Sequence, residues 1–299
     1  MDALNTTAIR RVLTTSLRRR SMLTGAVMGG AATLTATGRA SAHGLTGLIA
    51  PDPVRRAEAT PEAPGTATQL AGGAEILWDT WGVPHIFAAD AEGLFHGFGW
   101  AQAHAHGDML LRLFTQARGR GAEFYGERML TSDVAVRTMG LHTRGQTWYD
   151  AQSPTFRSYI DAFAAGINAY AAANPTALSD EAGAILPVSG TDVLAHAARV
   201  IYLFLGIGSQ VLPSGTTLGS NGWAIAPSNT ENGHAMLLAN PEVLWDEEQT
   251  FFEAQQTAPG VYDAYGATFV GFPVLAISFN DFLGWTHTVN QLRAGDLYQ

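Results

Sequence analysis

The sequence contains no cysteine and no lysine. The absence of cysteine excludes disulfides, a thiolate nucleophile and any metal site built on cysteine. All 17 basic residues are therefore arginines, and charged residues make up only 14% of the chain. Hydrophobic residues reach 46% of the 299 positions. This composition indicates a globular chain with a large core rather than a disordered one.

Positive charge is scarce beyond the N-terminal region. Six of the 17 basic residues but only one of the 26 acidic residues lie within residues 1–42, so the rest of the chain carries 11 basic and 25 acidic side chains. Such an acidic body argues against binding to nucleic acid or to anionic membranes. We expect no nucleic-acid partner and no membrane association once the protein has been exported.

Residues 1–42 have the features of an export signal, in the usual order. Arg18-Arg19-Arg20-Ser21-Met22-Leu23 is a twin-arginine pattern, a mildly apolar run extends from Gly25 to Thr37, and Ala40-Ser41-Ala42 forms an A-x-A cleavage site. The apolar run is too short to span a bilayer. The pattern predicts export by the twin-arginine route to the periplasm or the exterior; the alternative is a disordered basic N-terminus.

The remaining chain divides where its composition changes. Scattered prolines mark residues 43–73 as a linker, and residues 74–205 have mostly helical patterning. Residues 206–219 are rich in Gly, Ser and Thr, which is typical of a spacer or linker. The pattern of residues 220–299 predicts mainly strands. The sequence thus predicts an α+β fold in which a largely helical region precedes a largely extended one.

Local signals predict individual elements within these regions. Strands are expected at Glu75–Asp79 and Pro84–Ala88. Asp90 and Ser153-Pro154 are suited to begin two long helices, and a third is expected from Thr191 to Leu205. A strand is expected at Asn221–Ala226. Ser228 to Gly233 is expected to supply a turn, with Asn232-Gly233 the strongest hairpin signal, and the second strand is expected at His234–Leu238.

A cluster of metal-ligand residue types, His104, His106 and Asp108, lies within the first long helix. Residues two apart on a helix point in directions about 200° apart. His104 and His106 would then not face one ion, so we predict no metal site there.

The stretch that begins Gly219-Ser220-Asn221-Gly222 carries the most distinctive chemistry. Ser220 opens a predicted strand after a loose segment, and no G-x-S-x-G elbow surrounds it. A serine becomes a nucleophile only when a base accepts its proton. If the Gly219–Ser220 bond were cut, the freed α-amine would be that base, since its ordinary pKa of about 7.7–8.0 suits work near neutrality. An oxyanion hole would also be needed, and Thr288-Val289-Asn290 is a candidate; the alternative for Ser220 is an ordinary strand-edge serine.

Several motifs follow one another over about residues 74–299. They are Asp79 to Ile86, Gly97 to His104, Gly119 to Glu123, Ser220 to Ala226, Gly233 to Pro241, Tyr265 to Thr268, Gly271 to Val274, Phe279-Asn280 and Trp285 to Asn290. In their order and separations these motifs resemble the penicillin/cephalosporin acylase family, which includes acyl-homoserine lactone acylases.

The resemblance implies an N-terminal nucleophile hydrolase with an αββα sandwich, here incomplete. An exported precursor would cut itself at Gly219–Ser220 into an α-chain and a β-chain that stay together as a heterodimer. Ser220 would attack the linear amide of a small N-acyl substrate and form an acyl-enzyme. The substrate would be a β-lactam or an N-acyl homoserine lactone.

The resemblance also implies further site residues. Val289 would donate its backbone N–H to the oxyanion, Val243 and Ile277 would line the acyl pocket, and Asn240 would lie near the site. No cofactor is expected. The calcium of some relatives cannot be placed, because Asp296 stands near the right region without partners.

Two features depart from the family pattern. Glu242 follows Asn240-Pro241 where the family usually has His or Gln, and a carboxylate there would raise the pKa of the freed amine or favour a cationic or hydrogen-bonding substrate. If only the backbone matters at this position, Glu242 has no effect. Only 80 residues follow Gly219, whereas family β-chains are several hundred residues long. We therefore expect a C-terminally truncated chain without the asparagine and arginine that complete the site. The alternative function is an inactive exported binding or structural module; an α/β hydrolase is disfavoured by the missing elbow.

Overall fold

The computed structural model describes residues 67–206, 219–245 and 247–288. The strands of this part of the chain are β1 (Ala67–Gln69), β2 (Ala74–Trp78), β3 (Pro84–Ala88), β4 (Gly219–Ile225), β5 (Met236–Glu242), β6 (Phe251–Ala258), β7 (Tyr262–Phe269), β8 (Ile277–Phe279) and β9 (Gly284–Trp285). The α-helices are α1 (Ala91–Ala117), α2 (Gly121–Tyr125), α3 (Leu130–Thr138), α4 (Leu141–Asp150), α5 (Pro154–Ala173), α6 (Asp180–Gly183) and α7 (Gly190–Arg199). The predicted α+β class is confirmed.

Seven strands form one mixed sheet in the order β1-β2-β3-β6-β7-β8-β9. All neighbours are antiparallel except β3 and β6, which run parallel with Ile86 opposite Gln256. All five residues of β3 are buried, as expected for a central strand covered by a helix. The helices and the β4–β5 hairpin all lie in the chain between β3 and β6. The sheet therefore combines strands from both sides of Gly219.

The sheet begins earlier in the chain than the sequence predicted. β1 lies within residues 43–73, which were assigned to the linker, and Thr68 pairs with Ile76 of β2. Three residues are too short a run to show an alternating pattern. The C-terminal end of the predicted linker is therefore an edge strand, while residues 1–66 lie outside the described part of the chain.

Helices α1 and α5 cross with their backbones in contact at two glycines. A Cβ at Gly99 would lie 2.0 Å from the carbonyl oxygen of Phe163, and a Cβ at Gly166 would lie 2.0 Å from that of His96. Real Cβ atoms do not approach this closely, so each helix needs glycine where it meets the other. The crossing places buried Phe98 against Phe163 in the centre of the core.

The ends of the long helices follow their predicted signals. The Asp90 side chain accepts a hydrogen bond from Gly93 N–H (2.8 Å), and Ser153 accepts one from Phe156 N–H (3.2 Å). The predicted third helix is shorter, because regular α7 ends at Arg199 and a π-helical segment, Val200–Gly206, follows. Among the described residues, no helix combines the length and the apolar character needed to cross a membrane.

The β4–β5 hairpin is a separate two-stranded sheet with Trp223 opposite Leu238. The predicted pairing and the turn at Ser228 to Gly233 are observed, but the second strand begins at Met236 rather than at His234. The ladder ends at the Ile225–Met236 pair, and the connection contains a 3₁₀ turn at Pro227–Asn229 before Gly233 takes a positive φ of 69°. Pro227 has no N–H to continue the ladder, so the loop is longer than the Asn232-Gly233 signal implies.

Buried polar contacts join the residues on either side of Gly219. The side chain of Gln102 donates to Phe272 O (3.0 Å) and accepts from Gly271 N–H (2.8 Å). Arg199, 3% exposed, forms an ion pair with Glu248 at 2.5 Å. His196 lies 3.0 Å from Val270 O through Nε2, and because a carbonyl only accepts, Nε2 carries the proton. These contacts join α1 and α7 to the 3₁₀ turn before β6 and to the residues that directly follow β7.

Burial and neighbouring charges together set the pKa values of His196 and Glu248. Burial lowers the pKa of His196 from 6.5 to about 4, and Arg199 adds to the lowering, while Glu248 and the Val270 carbonyl oppose it. Burial alone would raise the pKa of Glu248, but the Arg199 guanidinium, with His196 and Arg112, brings it below its ordinary value. The folded protein thus holds a neutral histidine beside a charged pair.

Acid is expected to destabilise the fold through His196. At pH values above 6.5 the imidazole is neutral in both the folded and the unfolded chain. As the pH falls from 6.5 towards 4, the unfolded chain binds a proton that the folded chain does not, so up to about 3 kcal/mol of stability is lost. Urea unfolding of the wild type and His196→Gln over this range measures the effect. The variant should show a smaller pH dependence, and equal slopes would contradict the assignment.

Candidate active site

Ser220 is the second residue of β4 and lies directly opposite Pro241 of β5. Opposite residues share a face of a hairpin, so Ser220 lies on the same face as Gly222 and its partner Ala239. This face packs against the last described residues: a Cβ at Gly222 would lie 2.9 Å from Thr286. The small side chains of this face let the two segments approach closely. Ser220 is half-buried as a result.

The Ser220 hydroxyl lies against the peptide bond that precedes it. It donates a hydrogen bond to the carbonyl oxygen of Gly219 at 2.5 Å and accepts one from the backbone N–H of Glu242 at 3.3 Å. The second contact fixes the oxygen from the neighbouring strand. The hydroxyl is thus held beside the carbonyl group that it would have to attack for the chain to be cut.

The carboxylate of Glu242 lies on the opposite face of the hairpin, beside Gly219. One oxygen accepts hydrogen bonds from the side-chain amides of Asn221 and Asn240, each at 3.0 Å. The other oxygen lies 3.1 Å from the position that a Cβ on Gly219 would take. The register explains the cluster, since Gly219 pairs with Glu242 and Asn221 pairs with Asn240.

The structure brings four of the predicted site residues together and places Ile277 in the other sheet. Gly219, Ser220, Asn240 and Glu242 meet at one end of the hairpin. Ile277 is half-buried in the seven-stranded sheet, opposite Ala267 of β7.

Only some of the other predicted positions belong to the described residues. Val243 is half-buried and directly follows β5. Val289 and Asp296 lie outside the described residues, as do residues 207–218 of the predicted spacer.

Asn221 is a candidate-site residue that was not predicted from the sequence. Strand alternation places residues 219 and 221 on one face. This alternation and the pairing of the hairpin would together have predicted that the Asn221 amide lies beside Glu242.

The histidines of α1 pack against aromatic rings. His104 stacks on Trp100 with ring centroids 5.3 Å apart, and His106 contacts the edge of Phe252 at 5.9 Å. The helix is not regular as predicted, because His106 has non-helical φ and ψ of −141° and 30°. The argument from helical spacing therefore does not apply at this kink. Within the described ranges, no group of three or more His, Asp or Glu side chains is arranged to hold a metal ion.

Comparison with protein-family models shows the family to which the chain belongs. A family model described as penicillin amidase matches residues 73–299. The chain belongs to the penicillin amidase family. The match spans both sides of the Gly219–Ser220 bond, and it confirms the resemblance that the ordered motifs indicated.

Individual relatives of this penicillin amidase family member are distant. An acyl-homoserine lactone acylase PvdQ from Pseudomonas fluorescens (strain Pf0-1) is 28% identical over 269 residues, covering 76% of this chain and 34% of the relative. Aculeacin-A acylase from Actinoplanes utahensis is 26% identical over 299 residues, covering 79% and 36%. The chain spans about a third of the length of these curated relatives.

A solved structure of a similar protein, the thermostable penicillin G acylase from Alcaligenes faecalis, is 24% identical to this family member. It matches with a TM-score of 0.38, covering 46% of this chain and 75% of the acylase chain.

Proposed function

We propose that this chain is a precursor that cuts itself between Gly219 and Ser220 and that Ser220 then hydrolyses the amide bond of an N-acyl substrate. The observation that carries the proposal is the 2.5 Å hydrogen bond from the Ser220 hydroxyl to the Gly219 carbonyl oxygen. Membership of the penicillin amidase family supports the same reaction class.

The cut would proceed through an ester. The Ser220 Oγ attacks the carbonyl carbon of Gly219, a C–O bond forms, the C–N bond breaks, and the hydroxyl proton passes to the departing nitrogen. Water then hydrolyses the ester, which leaves a carboxylate on Gly219 and restores the hydroxyl of Ser220. The products are a chain that ends at Gly219 and a chain that begins with the free amine of Ser220.

Substrate hydrolysis would repeat this chemistry with the new amine as the base. The amine accepts the hydroxyl proton through a bridging water, Oγ attacks the acyl carbon, and the proton leaves with the amine product. A second water releases the acid. We assign the oxyanion contact to the backbone N–H of Val289 and the acyl pocket to Val243 and Ile277. Nucleophile and base then belong to one residue, and the reaction needs no cofactor.

The two chains would remain together as a heterodimer after the cut. The support is the shared sheet, because β3 precedes the junction and pairs with β6, which follows it. The Gln102, His196 and Arg199 contacts across the junction are buried.

We propose an N-acyl homoserine lactone as the substrate rather than a β-lactam. The support is that named relatives covering three quarters of this chain are acyl-homoserine lactone acylases.

We further propose export by the twin-arginine route, supported by the Arg18 to Leu23 pattern and the Ala40-Ser41-Ala42 site.

Mass spectrometry of the purified full chain tests the proposal, with Ser220→Ala as its control. The wild type is expected to yield two fragments, one beginning at Ser220, while the variant stays uncut because it lacks the attacking oxygen. Incubation with an N-acyl homoserine lactone should release the free amine only from the cut protein. A wild-type chain that remains uncut would instead favour the inactive binding module.

A further inference from the structure

The carboxylate of Glu242 is held next to the proposed cut by groups that do not cancel its charge. Its two side-chain partners, Asn221 and Asn240, are neutral amides. Within β4 and β5, Glu242 is the one charged residue. The hydrogen bonds therefore hold this carboxylate beside Gly219.

The register places this charge near the nitrogen that the cut would free. Gly219 lies directly opposite Glu242, and the second carboxylate oxygen lies 3.1 Å from the Cβ position of Gly219. The nitrogen of Ser220 is bonded to the carbonyl carbon of that glycine. The backbone N–H of Glu242 also donates to the Ser220 hydroxyl. Glu242 thus has a backbone contact to the nucleophile and a side chain beside the future amine.

We propose that Glu242 is a positioning residue whose carboxylate acts as the counter-ion of the Ser220 α-ammonium group after the cut. The inference rests on the proposed function, because the amine exists only once the Gly219–Ser220 bond is broken. It goes further by giving Glu242 a defined role in the charge state of the base.

The expected consequence is a shift in the pH at which the amine works. A nearby opposite charge favours the charged form of a group, so the ammonium form persists to higher pH. At this solvent-accessible position we expect a rise of about one pKa unit from the ordinary value of about 7.7–8.0. Because only the neutral amine can accept the hydroxyl proton, the rising limb of the activity profile moves to higher pH by the same amount.

The absence of lysine makes this amine directly measurable. In the cut protein, the primary amines are the α-amines of its chains. Trace labelling with acetic anhydride at a series of pH values, read by mass spectrometry of the peptide that begins at Ser220, gives the pKa of that amine. Labelling of the same peptide in concentrated urea gives the pKa of the amine in the unfolded chain.

In the folded wild type, the pKa of the Ser220 amine is expected to lie about one unit above its value in urea. Glu242→Gln, which keeps the shape but removes the charge, should abolish the difference. Glu231→Gln, an exposed change in the hairpin loop, should preserve it. If Glu242→Gln is not cut, the test uses the wild type alone and compares the pKa of its Ser220 amine in the folded protein with the value in urea.

Two failures can be told apart. A labelled Ser220 amine with the same pKa folded and unfolded, or an unchanged shift in Glu242→Gln, would overturn the counter-ion role alone. A wild type with no Ser220 amine at all would overturn the proposed function and this inference with it.

Discussion

Replacing Glu248 by glutamine is expected to lower the free energy of unfolding by about 3–5 kcal/mol. Arg199 is 3% exposed and pairs with Glu248 at 2.5 Å and 2.7 Å through two nitrogens. Removing the carboxylate charge leaves a guanidinium in a site where water cannot solvate it, and His196 beside it is neutral. The cost is that of an uncompensated buried charge, which exceeds the value of the intact pair.

The same substitution in an exposed pair provides the control. Arg120 and Glu123 pair at 2.5 Å with both side chains close to half exposed, so Glu123→Gln should change stability far less than Glu248→Gln, because water solvates both charges. Urea unfolding at neutral pH measures both variants. Equal effects of the two substitutions would show that the Arg199–Glu248 pair does not behave as a buried one.

Replacing Gly99 by alanine is expected to lower the free energy of unfolding by about 3 kcal/mol, at the upper end of overpacking effects. The added methyl would lie 2.0 Å from the carbonyl oxygen of Phe163. The obstacle is backbone rather than a flexible side chain, so α1 and α5 must move apart along a core contact. Gly166→Ala should act similarly, because its methyl would meet the backbone of His96.

Gly183→Ala is the matched control for both glycines. Gly183 is also helical, but nothing lies within 4 Å of its Cβ position. Alanine there should leave stability unchanged or raise it by about 0.5–1 kcal/mol, because glycine is a poor helix former. The midpoint of urea unfolding compares the three variants. A Gly99→Ala protein as stable as Gly183→Ala would show that the two helices are not in backbone contact.

Local signals predicted much of the fold. Asp90 and Ser153 begin α1 and α5 as expected because a capping side chain acts within one helical turn. The hairpin was predicted from its turn residues, but its second strand begins two residues later than predicted, because the ladder ends at the Ile225–Met236 pair. The irregularity at His106 has no equally clear local signal, and the predicted helix was too regular there.

The long-range arrangement could not be predicted from local patterns. The parallel pairing of β3 with β6 joins segments about 170 residues apart, such as Ile86 and Gln256. Neither strand carries a sequence signal for its partner, and the pairing depends on the packing of everything between them.

In the candidate site, Ser220 and Glu242 were found from the sequence, because one begins a strand and the other departs from a motif. The contact between the Asn221 amide and Glu242 was not predicted, because it depends on the register of the two hairpin strands. Hydrogen-bond partners of this kind are set by which residues face each other across the hairpin.

The sheet that spans the junction has a consequence for refolding. While the chain is intact, β3 and β6 are parts of one molecule, and their meeting is an intramolecular event at high effective concentration. After a cut at Gly219, the same pairing requires the encounter of two molecules, so it depends on protein concentration. Maturation would therefore make unfolding difficult to reverse in dilute solution. The proposed cut would give the protein its nucleophile and would also remove the covalent connection that first assembled its sheet.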